Sequence, residues 1–388
     1  MIIPARIAGL LSVACMALLA AGDILANSHQ SPPWQWGTDG RGGIFSSEGD
    51  AIDGSQSDQT EARLRLRLWT ARDFGQRWHF RTRAAGTFNS EQDGVRARLD
   101  PYRDSGTGVS AGTVTLDQLY LAHRLERGQL RLGRLTTGFS LPSVAGKSLD
   151  RNDSSNTGLG WTDGLHLEQR IGAHWKGHAI AQYYQQNGTG NTVRPPLDLS
   201  GISHRAGLFL GLESQYRLGP IDWAMLTINH IPDALPVSDT PRDYTTATIK
   251  TAARWPLSDK RMELVAAAEL GRAFRTPRPE QLNLNLEQPV SGNAWQATLS
   301  LFDLRPGHHI GAVYGQAGGG WLISNDYRNN NRLFEIRYQY RVSPGLSIEI
   351  RFRERLEREA QSGSVQRQRD RDAYLRLTWR HSWTPSAG

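Results

Sequence analysis

Cysteine is almost missing: the 388-residue chain holds one, Cys15. It lies inside the apolar run Ile7–Ala21, and Met-Ala-Leu-Leu-Ala-Ala continues after it. A lipid-modified cysteine would stand at the end of such a run, so no lipid anchor is expected. The run follows Arg6, is short for a spanning helix, and ends in Ala20, Ala21 and Gly22, with Ala26 just beyond. That is the three-part make-up of a secretory signal peptide. Cleavage within 20–27 is expected, giving a signal over 1–26 and a mature chain over 27–388. The mature chain then has no cysteine, which excludes disulfides, thiol catalysis and cysteine-bound metals.

Long apolar runs are missing as well. Nothing after the leader approaches ~18 consecutive apolar residues, so no later segment can cross a bilayer as a helix. Hydrophobic residues make up only 38% of the chain, and its formal net charge is +7. A secreted chain of this kind is soluble or a β-barrel, and composition does not choose between them.

Periodicity does choose. In Glu61–Trp69, Ala62, Leu64, Leu66 and Leu68 alternate with Arg63, Arg65 and Arg67. Asn331–Arg341 sets Phe334, Ile336, Tyr338 and Tyr340 against Glu335, Arg337, Gln339 and Arg341. Leu346–Arg355 and Asp372–Trp383 repeat the pattern, with Glu349, Arg351, Arg353, Arg355, Arg376 and Arg380 on the polar side. A helix would scatter these residues around its circumference, whereas a strand puts each set on one face.

The connections come in two sizes, strictly in turn. Short ones are expected at Asp73–Gln76, Glu126–Gly128, Ile171–His174, Arg217–Pro220, Pro256–Lys260, Leu304–Gly307 and Val342–Gly345, most with turn-forming residues. Between them lie long polar stretches at Asn89–Gly112, Thr136–Thr162, Gln186–Arg205, Ile231–Arg242, Arg275–Ser291, Gln316–Asn330 and Glu357–Arg371. Short periplasmic turns alternating with long outer loops build outer-membrane barrels. The alternation yields fifteen strands, and an even count needs one more before a first loop at Ser46–Thr60. Trp36–Phe45, glycine-rich and weak, is the candidate. The expected fold is thus all-β: a transmembrane antiparallel up-and-down barrel of about 16 strands. Trp78, Trp175, Trp223, Trp255 and Trp383 lie near short turns or the last strand's end, as a periplasmic aromatic girdle would.

Lumen-facing residues should carry the function. Arg63, Arg65, Arg67, Arg81 and Arg83 come from early strands, with His79 beside them. Arg337, Arg341, Arg351, Arg353, Arg355, Arg376 and Arg380 come from the last three. Closing the barrel makes neighbours of these groups, while the opposite side offers Glu213, Asp222, Glu263, Glu269, Gln296, Thr298 and Ser300. Guanidinium groups along a wet channel concentrate anions. A bland alternative pairs them with Glu335 and Glu349, so that the wall only balances an inserted loop.

Leu119-Tyr120-Leu121, then Gln129-Leu130-Arg131-Leu132-Gly133-Arg134, then Trp161-Thr162-Asp163-Gly164, resembles the strand–turn–strand–loop segment of bacterial porins. It is similar in the same way to alginate-export-type barrels. In general porins the third loop folds inward and narrows the pore. The resemblance implies that role for Thr136–Thr162, with Lys147, Asp150, Arg151 and Asp153 as constriction residues. One departure is that Thr384–Gly388 follows Trp383, where porin strands end at a terminal aromatic.

The expected function is a porin: passive diffusion of small hydrophilic solutes, favouring anions. Expected partners are outer-membrane lipid and lipopolysaccharide and small anionic or polar solutes. A homotrimer is among the assemblies considered. No cofactor and no nucleic acid are expected, since arginine at strand period faces a lumen. An acidic-polysaccharide exporter, or the barrel scaffold of an envelope complex, is the alternative. Catalysis is not expected. Ser203-His204 and His381-Ser382 are strand neighbours on opposite faces, and His230 with Asp233 is a proximity expected by chance. His308-His309 and the Asn-rich stretch Asn325–Asn331 lack metal-site spacing.

Overall fold

The computed structural model describes residues 34–99, 109–153, 156–184, 194–199, 206–236, 241–257 and 262–383. The expected leader, Ser203-His204 and the tail Thr384–Gly388 lie outside the described residues. The chain forms β1 (Gln35–Asp50), β2 (Gln56–Phe74), β3 (Trp78–Asn89), the two-residue β4 (Arg96–Ala97), β5 (Thr113–Leu125) and β6 (Gly128–Leu135). It continues through β7 (Thr162–Ile171), β8 (Trp175–Tyr183), β9 (Ala206–Ser214), β10 (Ile221–Leu235), β11 (Arg242–Pro256) and β12 (Glu263–Ala273). The last strands are β13 (Asn293–Arg305), β14 (His308–Ala317), β15 (Asn331–Ser343), β16 (Leu346–Glu357) and β17 (Arg369–Trp383).

β4 pairs in parallel with β5 inside a long loop. The other sixteen strands pair antiparallel with their chain neighbours, and β17 pairs with β1 from Trp36↔Trp383 to Asp50↔Arg369. The sheet therefore closes on itself and leaves no free edge, which satisfies the backbone of every strand inside a bilayer. This is the expected sixteen-strand antiparallel barrel.

Side-chain alternation sets the two surfaces. Leu66, Leu68, Ile249, Leu270, Leu299, Phe352, Leu375 and Leu377 are exposed on the outside. Arg65, Arg67, Lys250, Glu269, Thr298, Arg351 and Arg376, on the alternate positions, are buried inside. Outward apolar and inward polar is the arrangement that lipid demands of a barrel.

Two expectations are corrected. The first hairpin runs further than its turn residues suggested: β1 reaches Asp50 and β2 begins at Gln56, so the loop placed at Ser46–Thr60 shrinks to 51–55. Cross-strand pairs such as Thr60 Oγ1 to Ser46 Oγ, 3.1 Å, hold that extension. Trp223 does not join an outer girdle. It shares the inward parity of Met225 and Thr227, donates its Nε1–H to Glu213 at 2.9 Å, and packs against the two buried clusters that hold Leu141 and Phe209. Trp36, Trp175, Trp255 and Trp383 are exposed at strand ends beside the short turns.

β1 was hard to read because glycine replaces its side chains where neighbouring indoles need room. A Cβ at Gly40 would sit 2.0 Å from the Trp379 ring, and one at Gly37 2.3 Å from the Trp69 ring. The aromatic lies over the glycine backbone at the seam where the barrel closes.

Candidate functional site in the barrel interior

The connection from β6 to β7, Thr136–Thr162, turns inward and crosses the lumen. On one side it binds β10–β13 and β15. Val144 N donates to Ser300 Oγ (3.1 Å), Leu149 N to Glu269 (3.0 Å), and Gln296 Nε2 donates to the Lys147 carbonyl (3.1 Å). On the other it reaches the arginine side. Arg65 donates to the Gly158 carbonyl at 3.3 Å, Arg376 to Asn156 Oδ1 at 2.6 Å, and Arg41 to the Asn156 carbonyl at 3.0 Å.

The four residues expected to form a constriction are all buried. Lys147 Nζ lies 2.8 Å from Glu335. Asp150 lies 2.7 Å from Lys250 Nζ, which also meets Glu269 at 3.1 Å and the Phe139 carbonyl at 2.7 Å. Thr227 donates to the other Asp150 oxygen at 2.5 Å. Arg151 donates to the hydroxyls of Thr137 and Thr162 and, at 2.6 Å, to Gln182, while its guanidinium lies over Phe209. Asp153 accepts from Thr137 N at 2.7 Å and from both threonine hydroxyls. Arg151 and Asp153 thus pin the two ends of the loop together, whereas Lys147 and Asp150 pin its crown to the wall. Burial lowers the Lys147 ammonium to about 8 against the pull of Glu335, and burial raises the Asp153 carboxyl against the pull of Arg151.

A second segment packs onto this loop. Residues 318–330, between β14 and β15, place Trp321 Nε1 2.8 Å from the Leu149 carbonyl and Ser324 Oγ 2.9 Å from that of Ser148. Asp326 accepts from Ser148 N and Asn152 Nδ2, both at 3.0 Å. Trp321, Leu322, Tyr327, Leu149, Tyr244 and Leu333 share one buried apolar cluster. One side of the barrel is therefore filled by two stacked loops. Part of the Asn-rich stretch Asn325–Asn331 belongs to this packing.

The sequence-derived arginines come together across β2, β3 and β15–β17, joined through β1, and most meet carboxylates. Arg63 meets Glu61 at 2.5 Å. Arg67 and Arg83 share the fully buried Asp117 at 2.9 and 2.7 Å, and Arg65 and Arg67 stand 3.8 and 3.9 Å from Asp39. Arg81 donates to Gln118 at 2.9 Å and lies over Trp69. Glu335 takes Arg337 at 2.6 Å, Glu349 takes Arg376 at 2.8 Å, and Asp372 takes Arg351 and Arg353. Arg355 donates to the Asp326 carbonyl at 3.3 Å. Arg341 and Arg380 are exposed near the short-turn ends of β15 and β17. Forked guanidinium–carboxylate contacts are strong and fix geometry. The named carboxylates are fewer than the arginines, which leaves the wall with an excess of guanidinium.

Beneath the crossing loop, toward the short turns, a cavity of about 690 Å³ remains. Phe139 and Pro142 of the loop roof it, and Arg131, Lys176, Glu213 and Trp223 line its walls. His166 and His178 also open onto it; period two put them inside, but no spacing motif marked them. No spacing motif marks Asp117 or Lys250 either.

No protein-family model matches this chain, and no curated protein matches it by sequence. Solved structures do match. OprB of Pseudomonas putida aligns over 90% of this chain and 94% of its own, with 14% identity and a TM-score of 0.59. OccK9 of Pseudomonas aeruginosa aligns over 90% and 98%, with 16% identity and a TM-score of 0.55. The outer membrane channel DcaP of Acinetobacter baumannii aligns over 89% and 96%, with 12% identity and a TM-score of 0.54. At these identities the likeness is one of fold: this chain has the closed sixteen-strand barrel of outer-membrane porins.

Proposed function

We propose that the chain is an outer-membrane channel through which small hydrophilic solutes diffuse passively, with a preference for anions. The observation that supports this most is the closed barrel with an apolar outside and a charged inside, narrowed by Thr136–Thr162. In this reading residues 1–26 direct export, the short turns face the periplasm, and lipid and lipopolysaccharide surround the exposed leucines. Each barrel is a complete pore, alone or within a homotrimer. The anion preference rests on the guanidinium excess of Arg63, Arg65, Arg67, Arg81, Arg83, Arg337, Arg341, Arg351, Arg353, Arg355, Arg376 and Arg380 over their carboxylate partners.

The packed loops weigh against the alternative of polysaccharide export, which needs a continuous wide bore. Swelling of proteoliposomes tests the proposal. Small sugars and small monocarboxylates should enter, the carboxylates faster than neutral solutes of equal size. Liposomes that swell no faster than protein-free controls would reject the channel reading.

A further inference from the structure

His166 and Glu168 are two residues apart on β7, so both point inward, and Glu168 is the cross-strand register partner of His178 on β8. His166 Nε2 lies 3.2 Å from His178 Nδ1, and Glu168 Oε2 lies 3.9 Å from that same nitrogen. The ligand atoms of all three fall within 4.8 Å of one another. Two imidazole nitrogens on one ion, at bond lengths of ~2.0–2.1 Å and a near-tetrahedral angle, stand roughly 3.3 Å apart. The observed spacing matches. Glu168 is partly exposed and has room to close the remaining gap, and the cavity leaves a fourth position for water.

We propose that His166, Glu168 and His178 form a binding site for a divalent transition ion of the Zn²⁺ class on the cavity wall. Imidazole with one carboxylate suits Zn²⁺, Ni²⁺ or Cu²⁺ and not Mg²⁺, which prefers an all-oxygen octahedron. The outer contacts agree in part. His178 turns its other nitrogen toward Glu213 at 3.3 Å, the carboxylate–histidine arrangement that orients a metal-bound imidazole.

Arg131 is the opposing element. Its Nη2 lies 2.7 Å from His166 Nδ1, and a guanidinium can only donate, so Nδ1 accepts and the proton sits on Nε2. That proton faces His178 Nδ1. The ion-free site is therefore held by a directed chain from Arg131 through His166 and His178 to Glu213. For an ion to bind, His166 must lose the proton at Nε2 and take one at Nδ1, with no net change in charge, while Arg131 turns away. Arg131 Nε has no hydrogen-bond partner among the described residues, so little else holds it in place from that atom. Lys176, 4.0 Å from Glu168 and 3.6 Å from Glu213, must also give up its contact with Glu168.

The test is calorimetric titration of ZnCl₂ into the detergent-solubilised full chain at about pH 7.5, where neutral imidazole predominates. MgCl₂ serves as the control, and no transport is read. One Zn²⁺ should bind. His166→Asn and His178→Asn should each weaken binding at least tenfold. Arg131→Gln should tighten it several-fold, because the glutamine oxygen accepts the Nδ1–H that a guanidinium repels. Heat-modifiable mobility on gels confirms that each variant is a folded barrel. Absence of zinc binding in both the wild type and Arg131→Gln would overturn the proposal, as would a folded histidine variant that binds like the wild type, or an Arg131→Gln variant that binds more weakly.

Discussion

At the scale of single residues, the interior is held by charges that cannot reach water. Lys250 is fully buried between Asp150 and Glu269. Removing one partner of a buried pair leaves an uncompensated charge and costs about 3–5 kcal/mol. Lys250→Met should lower the thermal unfolding temperature accordingly, and adding Asp150→Asn with Glu269→Gln should recover much of the loss. No recovery would mean that the lysine acts through packing alone.

Lys147 gives a pH signature. Its folded pKa, lowered to about 8, lies below its unfolded value, so the unfolded chain holds more protons between the two. Stability from this residue therefore rises as pH climbs through 8 toward the unfolded value. The melting-temperature difference between wild type and Lys147→Met should move in favour of the wild type from pH 7.5 to about 10. A flat difference would contradict the burial argument.

Which way a residue faces was legible from period two, because alternation is a local property of the strand. Its partner was not. Parity alone predicts that Leu66→Arg is costly and Arg65→Leu tolerated. Leu66 is exposed on the outer surface, and a charge there at mid-membrane costs about 2–4 kcal/mol. Arg65, however, is buried and donates to Gly158, so Arg65→Leu should cost about 1–3 kcal/mol by orphaning its acceptors. Urea titration of both variants in detergent or lipid compares them.

At the scale of elements, strand order and turns could be read because tight turns demand particular residues. The loops could not, because nothing in a polar stretch says whether it meets water or a wall. The inward course of Thr136–Thr162 entered through resemblance to porins, whereas no motif or spacing marked the packing of 318–330 against it. Trp321 and Tyr327 in that stretch were the clue available: large aromatics in a polar loop have to be covered by something. β1 shows the opposite case, a strand that read as weak because its glycines serve the indoles of its neighbours. Gly40→Leu should reduce barrel yield, since no side chain fits beside Trp379. Replacing residues 140–149 by a short Gly-Ser linker should raise single-channel conductance and lower thermal stability together, because the segment both narrows the lumen and ties β11, β12 and β15 to one another.

At the scale of the whole molecule, the barrel is a ring closed by β1 and β17, and the proposed anion preference depends on the field inside. A guanidinium wall within a Debye length of ~8 Å of a passing ion attracts anions, and salt weakens that attraction. Its pairing with Asp39, Glu61, Asp117, Glu335, Glu349 and Asp372 reduces the field, and the proposed anion preference requires that its sign stay positive. Reversal potential in a planar bilayer, across a tenfold KCl gradient at low ionic strength, measures that sign directly. Discrete conductance steps are expected, with a reversal potential of the sign that marks chloride preference, shrinking toward zero as both solutions approach 1 M. A chain that inserts without conductance steps, or a pore that prefers potassium at low salt, would contradict the proposed function.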